Sequence, residues 1–326
     1  MMEYIKKNSK KLITIALPIV AFVVVYTLYI TDNTSRHTQS MLVPICVNII
    51  LALSLNLVVG FLGELSLGHA GFMSVGAYGG ALFSIYAQDI LPDIARYPLA
   101  LLVGGCVAGL FGIIVGIPVL RLKGDYLAIV TLAFGEIIRS VILNLDFTGG
   151  ASGLTGTPQD SSFVSAFVVV MIVLILTLNI TNSREGRAIT SVRDNVIAAE
   201  SCGLNVNYYK LITFVISAFI AGVAGAIYSH NYSILSAGDF DYIKSIEILL
   251  IVVLGGIGSI RGSIIAAVVI TILPEALRGL DDYRMLIYAI LLIAIMLVSS
   301  APQFAFIREK LNIKSYFGKK GGKKNA

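Results

Sequence analysis

The chain has little of what soluble enzymes are built from. Of its 326 residues only 13% are charged, and its three histidines, His37, His69 and His230, are dispersed. No G-x-S-x-G or H-E-x-x-H pattern occurs, so neither a nucleophile elbow nor a zinc protease helix is encoded. There is no G-x-x-x-x-G-K-[ST] loop, and any ATP that drives this protein must therefore be bound by another chain. Cys46, Cys106 and Cys202 lack paired or metal-ligand spacing and read as small residues in or beside apolar helices; no metal site is expected. The formal charge of +5 sits in short clusters between apolar runs, which argues against nucleic acid as a partner.

What is abundant is apolar surface, 57% of all residues, more than one soluble core could hide. A hydrocarbon core about 30 Å thick needs roughly 20 apolar residues per helix, and Leu12 to Ile30 and Phe163 to Ile180 meet that without a charge. Backbone groups cannot stay unpaired in lipid, and the period-2 alternation of a barrel is missing, so the fold class is all-α, a polytopic membrane helix bundle. About ten transmembrane segments are expected, near 12–31, 41–62, 68–88, 98–120, 125–144, 162–181, 208–229, 246–260, 262–277 and 285–301. The third, eighth and ninth are short or glycine-rich and read as re-entrant or broken helices. Pro44, Pro118 and Pro274 are expected to kink their helices. The basic start and apolar run at the N-terminus resemble a signal peptide. The run is long, however, and no small-x-small site precedes Asp32, which predicts an uncleaved first span.

Residues 1–301 thus form one transmembrane domain, followed by a basic tail at 302–326. Placing both termini in the cytoplasm sends 18 of the 24 Lys and Arg inward, in accord with positive-inside sorting. The same orientation puts two glycine-rich turns, Gly60 to Gly71 and Gly255 to Gly262, at one side. Paired glycine interruptions in two halves of a chain point to a translocation path, because broken helices expose backbone groups to a polar solute; close helix packing is the alternative. Path or hinge candidates are Gly60, Gly63, Glu64, Ser66, Gly68, His69, Phe72, Gly255, Gly256 and Gly258.

The longest cytoplasmic loop, near 184–205, reads as an amphipathic helix. Ile189, Val192 and Val196 recur at three and four residues on one face, and Gly203 suits a C-terminal cap. It is expected to dock a partner through Arg187, Arg193, Asp194, Ala198, Ala199, Glu200 and Gly203, rather than to rest in the headgroups. Inside the membrane, Glu136 and Arg139 are three apart on one helix and are expected to pair, structurally or as a proton relay. The outer loop TGGASGLTGTP cannot form a regular helix and presents backbone groups to water or a partner.

Four segments together resemble the permease subunits of ATP-binding-cassette importers for branched-chain amino acids, over about Leu51 to Leu297. They are LSLNLVVGFLGELSLGHAGFMSVGAYGGAL, RLKGDYLAIVTLAFGEIIR, the outer TGGASGL and the cytoplasmic GRAITSVRDNVIAAESCGL. The second is typical of the M-type member of the permease pair. The resemblance implies a heterodimer with a sister permease, two cytoplasmic ATPase subunits carrying ATP and Mg, and an extracytoplasmic solute-binding protein, in a bacterial cell membrane. It implies no cofactor on this chain. Ala198, Ala199 and Gly203 fall on the E-A-A-x-x-x-G docking pattern, with Ile197 where the acidic residue stands and Glu200 one step after the alanines. Thr148, Gly149, Gly150 and Gly153 would then meet the binding protein. Three other readings stay open: the same class of importer carrying urea or short amides, a proton-coupled carrier using Glu136, Arg139 and Glu64, and a passive channel or membrane-embedded structural subunit.

Overall fold

A computed structural model describes residues 36–122 and 124–277, with Pro18, Tyr26, Ile287, Ala289, Ile290 and Ile293. The expected first and tenth spans and the basic tail lie outside the described residues, apart from those single positions. Ten helices run through the described part. They are α1 Arg36–Asn56, α2 His69–Tyr86, α3 Asp93–Val119, α4 Asp125–Asn144, α5 Phe163–Asn182, α6 Arg184–Asp194, α7 Val196–Ser201, α8 Val206–Ser229, α9 Tyr242–Gly255 and α10 Ile260–Ala276. Two short strands, β1 Leu154–Thr155 and β2 Ile234–Leu235, pair antiparallel, a small departure from the all-α expectation.

Among the described residues, five helical stretches are long and apolar enough to cross a membrane: Ser40–Leu62, Asp93–Val119, Asp125–Asn144, Phe163–Asn182 and Val206–Ser229. The first joins α1 to a π-helical turn, Leu57–Leu62. α9 has 14 residues, about 21 Å at 1.5 Å per residue, and falls short of a hydrocarbon core on its own. The chain divides into two units, Met1–Thr271 and Ile272–Ala326.

At the centre of the first unit α2, α3 and α8 touch backbone to backbone. Gly76 of α2 lies directly on Gly222 of α8, and a Cβ added at Gly104 of α3 would stand 2.6 Å from the Gly76 carbonyl oxygen. One turn along, a Cβ at Gly80 would come within 2.8 Å of the Ala226 methyl. Lipid tails are as apolar as leucine, so helices in a bilayer gain little from hiding apolar surface from one another. Close van der Waals contact through small residues holds them instead. This gives the third predicted span its glycines: α2 is enclosed by its neighbours, with 13 of its residues buried.

Chain reversals place two ends opposite each other. One carries the 57–68 and 255–260 turns with α6 and α7, and the other carries β1, β2 and the 3₁₀ turn Ala237–Phe240. Gly76→Val should overpack the centre and cost about 1–3 kcal/mol, lowering the thermal unfolding temperature of the purified protein. At Gly79 a Cβ would meet only Val107, at an ordinary 3.5 Å. Gly79→Ala should therefore leave that temperature unchanged or raise it.

Candidate functional site

Between the π turn and α2 the chain has no regular structure from 63 to 68, and α2 starts inside the bundle rather than at its edge. Its first residue, His69, reaches Ser217 Oγ at 2.9 Å and Ser54 Oγ at 3.2 Å. Ser217 is eleven residues into α8, about 16 Å from that helix's start at 1.5 Å per residue. A helix beginning there must satisfy its orphan backbone donors internally. Thr131 Oγ1 of α4 accepts from Leu67 N at 3.0 Å, and Ser245 Oγ of α9 accepts from Ala70 N at 3.1 Å. The third predicted span is thus the continuous helix α2, His69–Tyr86, entered through the irregular segment 63–68.

The hydrogen inventory assigns the His69 ring. Ser54 Oγ donates to the Ser217 carbonyl and Ser217 Oγ to the Ser54 carbonyl, both at 2.7 Å. Each hydroxyl has spent its one proton, so His69 Nε2–H must be the donor to them. His69 Nδ1, Ser66 Oγ and Ser74 Oγ are buried without a partner among the described residues. Phe72 is packed edge-on against Phe214, with ring centroids 5.4 Å apart. Glu64 forms an ion pair with Lys210 at the base of α8.

The two glycine-rich turns meet. Asn56, fully buried at the end of α1, accepts from Gly258 N at 2.9 Å and donates to Ser263 Oγ at 3.1 Å. A Cβ on Gly60 would sit 2.5 Å from Gly258 N. In the second turn Gly255 lies against Gly262, while Gly256 and Gly258 have φ of 89° and 80°. The turn ends at Leu62, which leaves the Gly60 carbonyl to an outside donor: Arg193 Nη1 of α6 reaches it at 2.9 Å. Gly63, at φ 80°, closes the turn under the stem of the same arginine. α6 is therefore tied directly to the meeting point of both turns.

The 184–205 segment is two helices rather than the single one expected. Asn195 is extended, at φ −160° and ψ 106°, and its side chain accepts from Ala198 N to cap α7. Ile189 and Val192 are buried as the periodicity predicts. Val196, beyond the break, is not on their face and is 37% exposed. α7 closes in a Schellman motif, with Leu204 N to Ala199 O at 3.1 Å and Gly203 N to Glu200 O at 2.9 Å, and Gly203 at φ 83° takes the left-handed position. Ala199 is buried; Arg187, Asp194, Ala198, Glu200 and Gly203 are exposed, and Ile197 at the tip is 76% exposed. Arg193, expected to face a partner, spends one guanidinium nitrogen on Gly60 and pairs with Asp194 at 2.8 Å.

At the opposite end, Thr148 turns inward, its hydroxyl 2.6 Å from the Ile142 carbonyl and 2.7 Å from that of Leu145. Gly149 and Gly150 are half-buried and Gly153 is buried against Leu235. Ala151, Ser152, Thr155 and Gly156 form the exposed part of this loop. Beneath it Arg96, buried, pairs with Asp160 at 2.7 Å and Asp93 at 3.0 Å. His230 donates from Nδ1 to the Ala226 carbonyl and accepts from Ser84 at Nε2, both at 2.7 Å. Burial holds its pKa below the ordinary histidine value, with Ala226 opposing.

Just beyond the middle of α4, Arg139 Nε donates to Glu136 Oε2 at 2.9 Å, making the expected pair. The two side chains are 30% and 29% exposed beside an open groove of about 480 Å³. A single charge at the centre of a membrane helix costs about 2.5–3.5 kcal/mol against hydrocarbon even by insertion scales, and pairing lowers that cost for both residues. Among the described residues no three His, Cys, Asp or Glu converge to hold a metal.

The profile of the family described as the branched-chain amino acid transport system, permease component, matches residues 38–296. The chain belongs to that family. It is 33% identical over 316 residues to the high-affinity branched-chain amino acid transport system permease protein LivM of Salmonella typhimurium, covering 86% of this chain and 73% of that one. It is 32% identical to the Escherichia coli LivM with the same coverage. The ribose import permease protein RbsC of Haemophilus influenzae is 26% identical over 276 residues, 78% of this chain and 82% of the relative. No solved structure matches significantly.

In this permease several residues outside the sequence candidates hold the candidates in place: Asn56, Ser54, Ser217, Thr131, Ser245 and Lys210. The available signal was polarity inside an apolar run, since Ser54 and Asn56 interrupt IILALSLNLVV. A buried polar group in lipid needs a partner, but the run does not name it. Glu136→Arg should leave two unpaired guanidinium groups on α4 and reduce the folded protein recovered from membranes, measured by quantitative immunoblot of the membrane fraction.

Proposed function

We propose that the chain is the M-type permease subunit of an ATP-binding-cassette importer that carries leucine, isoleucine and valine across a bacterial cell membrane. It pairs with a sister permease, as the LivM and LivH names of its relatives support. Two ATPase subunits hold ATP and Mg in the cytoplasm, and an extracytoplasmic binding protein delivers the solute. The α6–α7 end is cytoplasmic in this reading, in keeping with its basic residues. The exposed α7 tip, with Ile197 foremost, docks on an ATPase subunit. The binding protein meets the Ala151, Ser152, Thr155 and Gly156 surface.

The observation that carries the mechanism is the Arg193 hydrogen bond to Gly60. A docking helix moves a transport path only if it is attached to elements with more than one arrangement. α6 is attached to a π turn, next to the irregular segment 63–68 and a second glycine turn. ATP-driven displacement of α6 and α7 would pull on the Gly60 carbonyl, and Asn56 would pass the movement to the Gly258 turn. High affinity for solute resides in the binding protein, since a path that binds tightly cannot release.

Arg193→Ala removes a charge-assisted hydrogen bond worth about 1.5–3 kcal/mol. We expect ATP-driven uptake to fall roughly tenfold while ATPase subunits still co-purify. Arg187→Ala, at an exposed position without that bond, should have little effect. The reading as a whole is tested with labelled leucine and vesicles holding this chain, its sister permease, the ATPases and the binding protein. Uptake that needs internal ATP and binding protein, and is outcompeted by isoleucine and valine but not urea, is the expected result. ATP-driven uptake of urea alone would change the cargo, and uptake driven by a proton gradient without partners would replace the importer with a carrier.

A further inference from the structure

On α4, Glu136, Ser140 and Asn144 recur every four residues and form one polar stripe, with Ile137 and Val141 forming an apolar row beside it. These five residues and Leu145 line the open groove of about 480 Å³. Ile137, Ser140, Val141 and Asn144 are exposed. The pair at the head of the stripe is only partly used. Arg139 spends Nε on Glu136 Oε2; its two terminal nitrogens and Glu136 Oε1 have no partner among the described residues. Held together, the two charges offer a carboxylate oxygen inside the groove to a cation and, from Arg139 at its side and outside the lining, a guanidinium edge to an anion, and their sum is zero.

We infer that this face of α4 is a contact site in the translocation path for an α-amino acid zwitterion. The α-ammonium group is taken by Glu136, the α-carboxylate by the free edge of Arg139, and the aliphatic side chain lies along Ile137 and Val141. The guanidinium fork matches a carboxylate in geometry as well as charge. Because pair and solute are each neutral, entry and exit add no net charge to the path, which suits a site that must bind weakly. Ser140 and Asn144 extend the polar surface beyond the pair. The inference rests on the amino acid importer reading and adds to it the residues that touch the cargo.

The test uses the full complex in liposomes, built on a chain with Cys46, Cys106 and Cys202 replaced by alanine. Ser140→Cys is then exposed to a negatively charged, membrane-impermeant thiol reagent. We expect the thiol to react in the assembled complex, and to react several-fold more slowly during ATP-driven turnover with binding protein and leucine. No reaction in the complex overturns the site. In that case reaction in the isolated chain would assign the face to the sister permease, and no reaction in either would assign it to lipid. A labelling rate indifferent to leucine turnover also overturns it.

Glu136→Gln with Arg139→Gln leaves no unpaired charge and should assemble normally. It should lower leucine uptake at least tenfold, the loss of two charge-assisted contacts; undiminished uptake refutes the inference. Failure of the cargo reading is distinguishable, because the unmodified complex would then show no ATP-driven leucine uptake at all.

Discussion

A break in a helix inside a membrane is costly because water is not there to take up the backbone groups it frees. The organisation at the α6–α7 end follows from that constraint. The chain leaves α1 through a π turn, re-enters the bundle and starts α2 at His69 well inside it. Thr131 and Ser245 accept the freed donors, Arg193 serves the Gly60 carbonyl, and Asn56 ties down the second turn. Each partner comes from a different helix, so the break also decides how α1, α4, α6 and α9 are arranged around it.

The glycines make such an arrangement possible. Gly76, Gly104 and Gly222 let three backbones approach until a methyl group would not fit, and this close packing holds α2 in place after its late start. The same residue type does a second job at the turns, where Gly60 and Gly258 meet. At the centre and at Gly60 the glycine makes room for a neighbouring backbone, whereas Gly63, Gly256 and Gly258 close their turns at positive φ.

The long spans were legible because each carries its own evidence in a single apolar run. α4 is expected at 125–144 and found at Asp125–Asn144, and α3, α5 and α8 agree to within a few residues. The short helices were legible as irregular, and their glycines were noticed, but a glycine reads the same whether it packs or bends. The 184–205 segment shows the limit of periodicity. Ile189, Val192 and Val196 fit one helix on paper, yet Asn195 caps a new one, because its side chain takes the Ala198 amide and rotates everything after it. That Asn stands directly before an apolar run, the usual position of an N-cap.

By itself the sequence determined that this is an α-helical membrane protein, which helices are long, where its basic end lies and which family it belongs to. Those properties depend on composition, local pattern and motifs read in order. Only the tertiary structure decided which glycines pack and which turn, that Arg193 reaches the Gly60 carbonyl while Ile197 stands exposed at the tip of α7, and that Glu64 answers Lys210 across 146 positions of chain. A buried polar group announces that it has a partner, but partner choice depends on the crossing of helices far apart in sequence, and no local spacing encodes that.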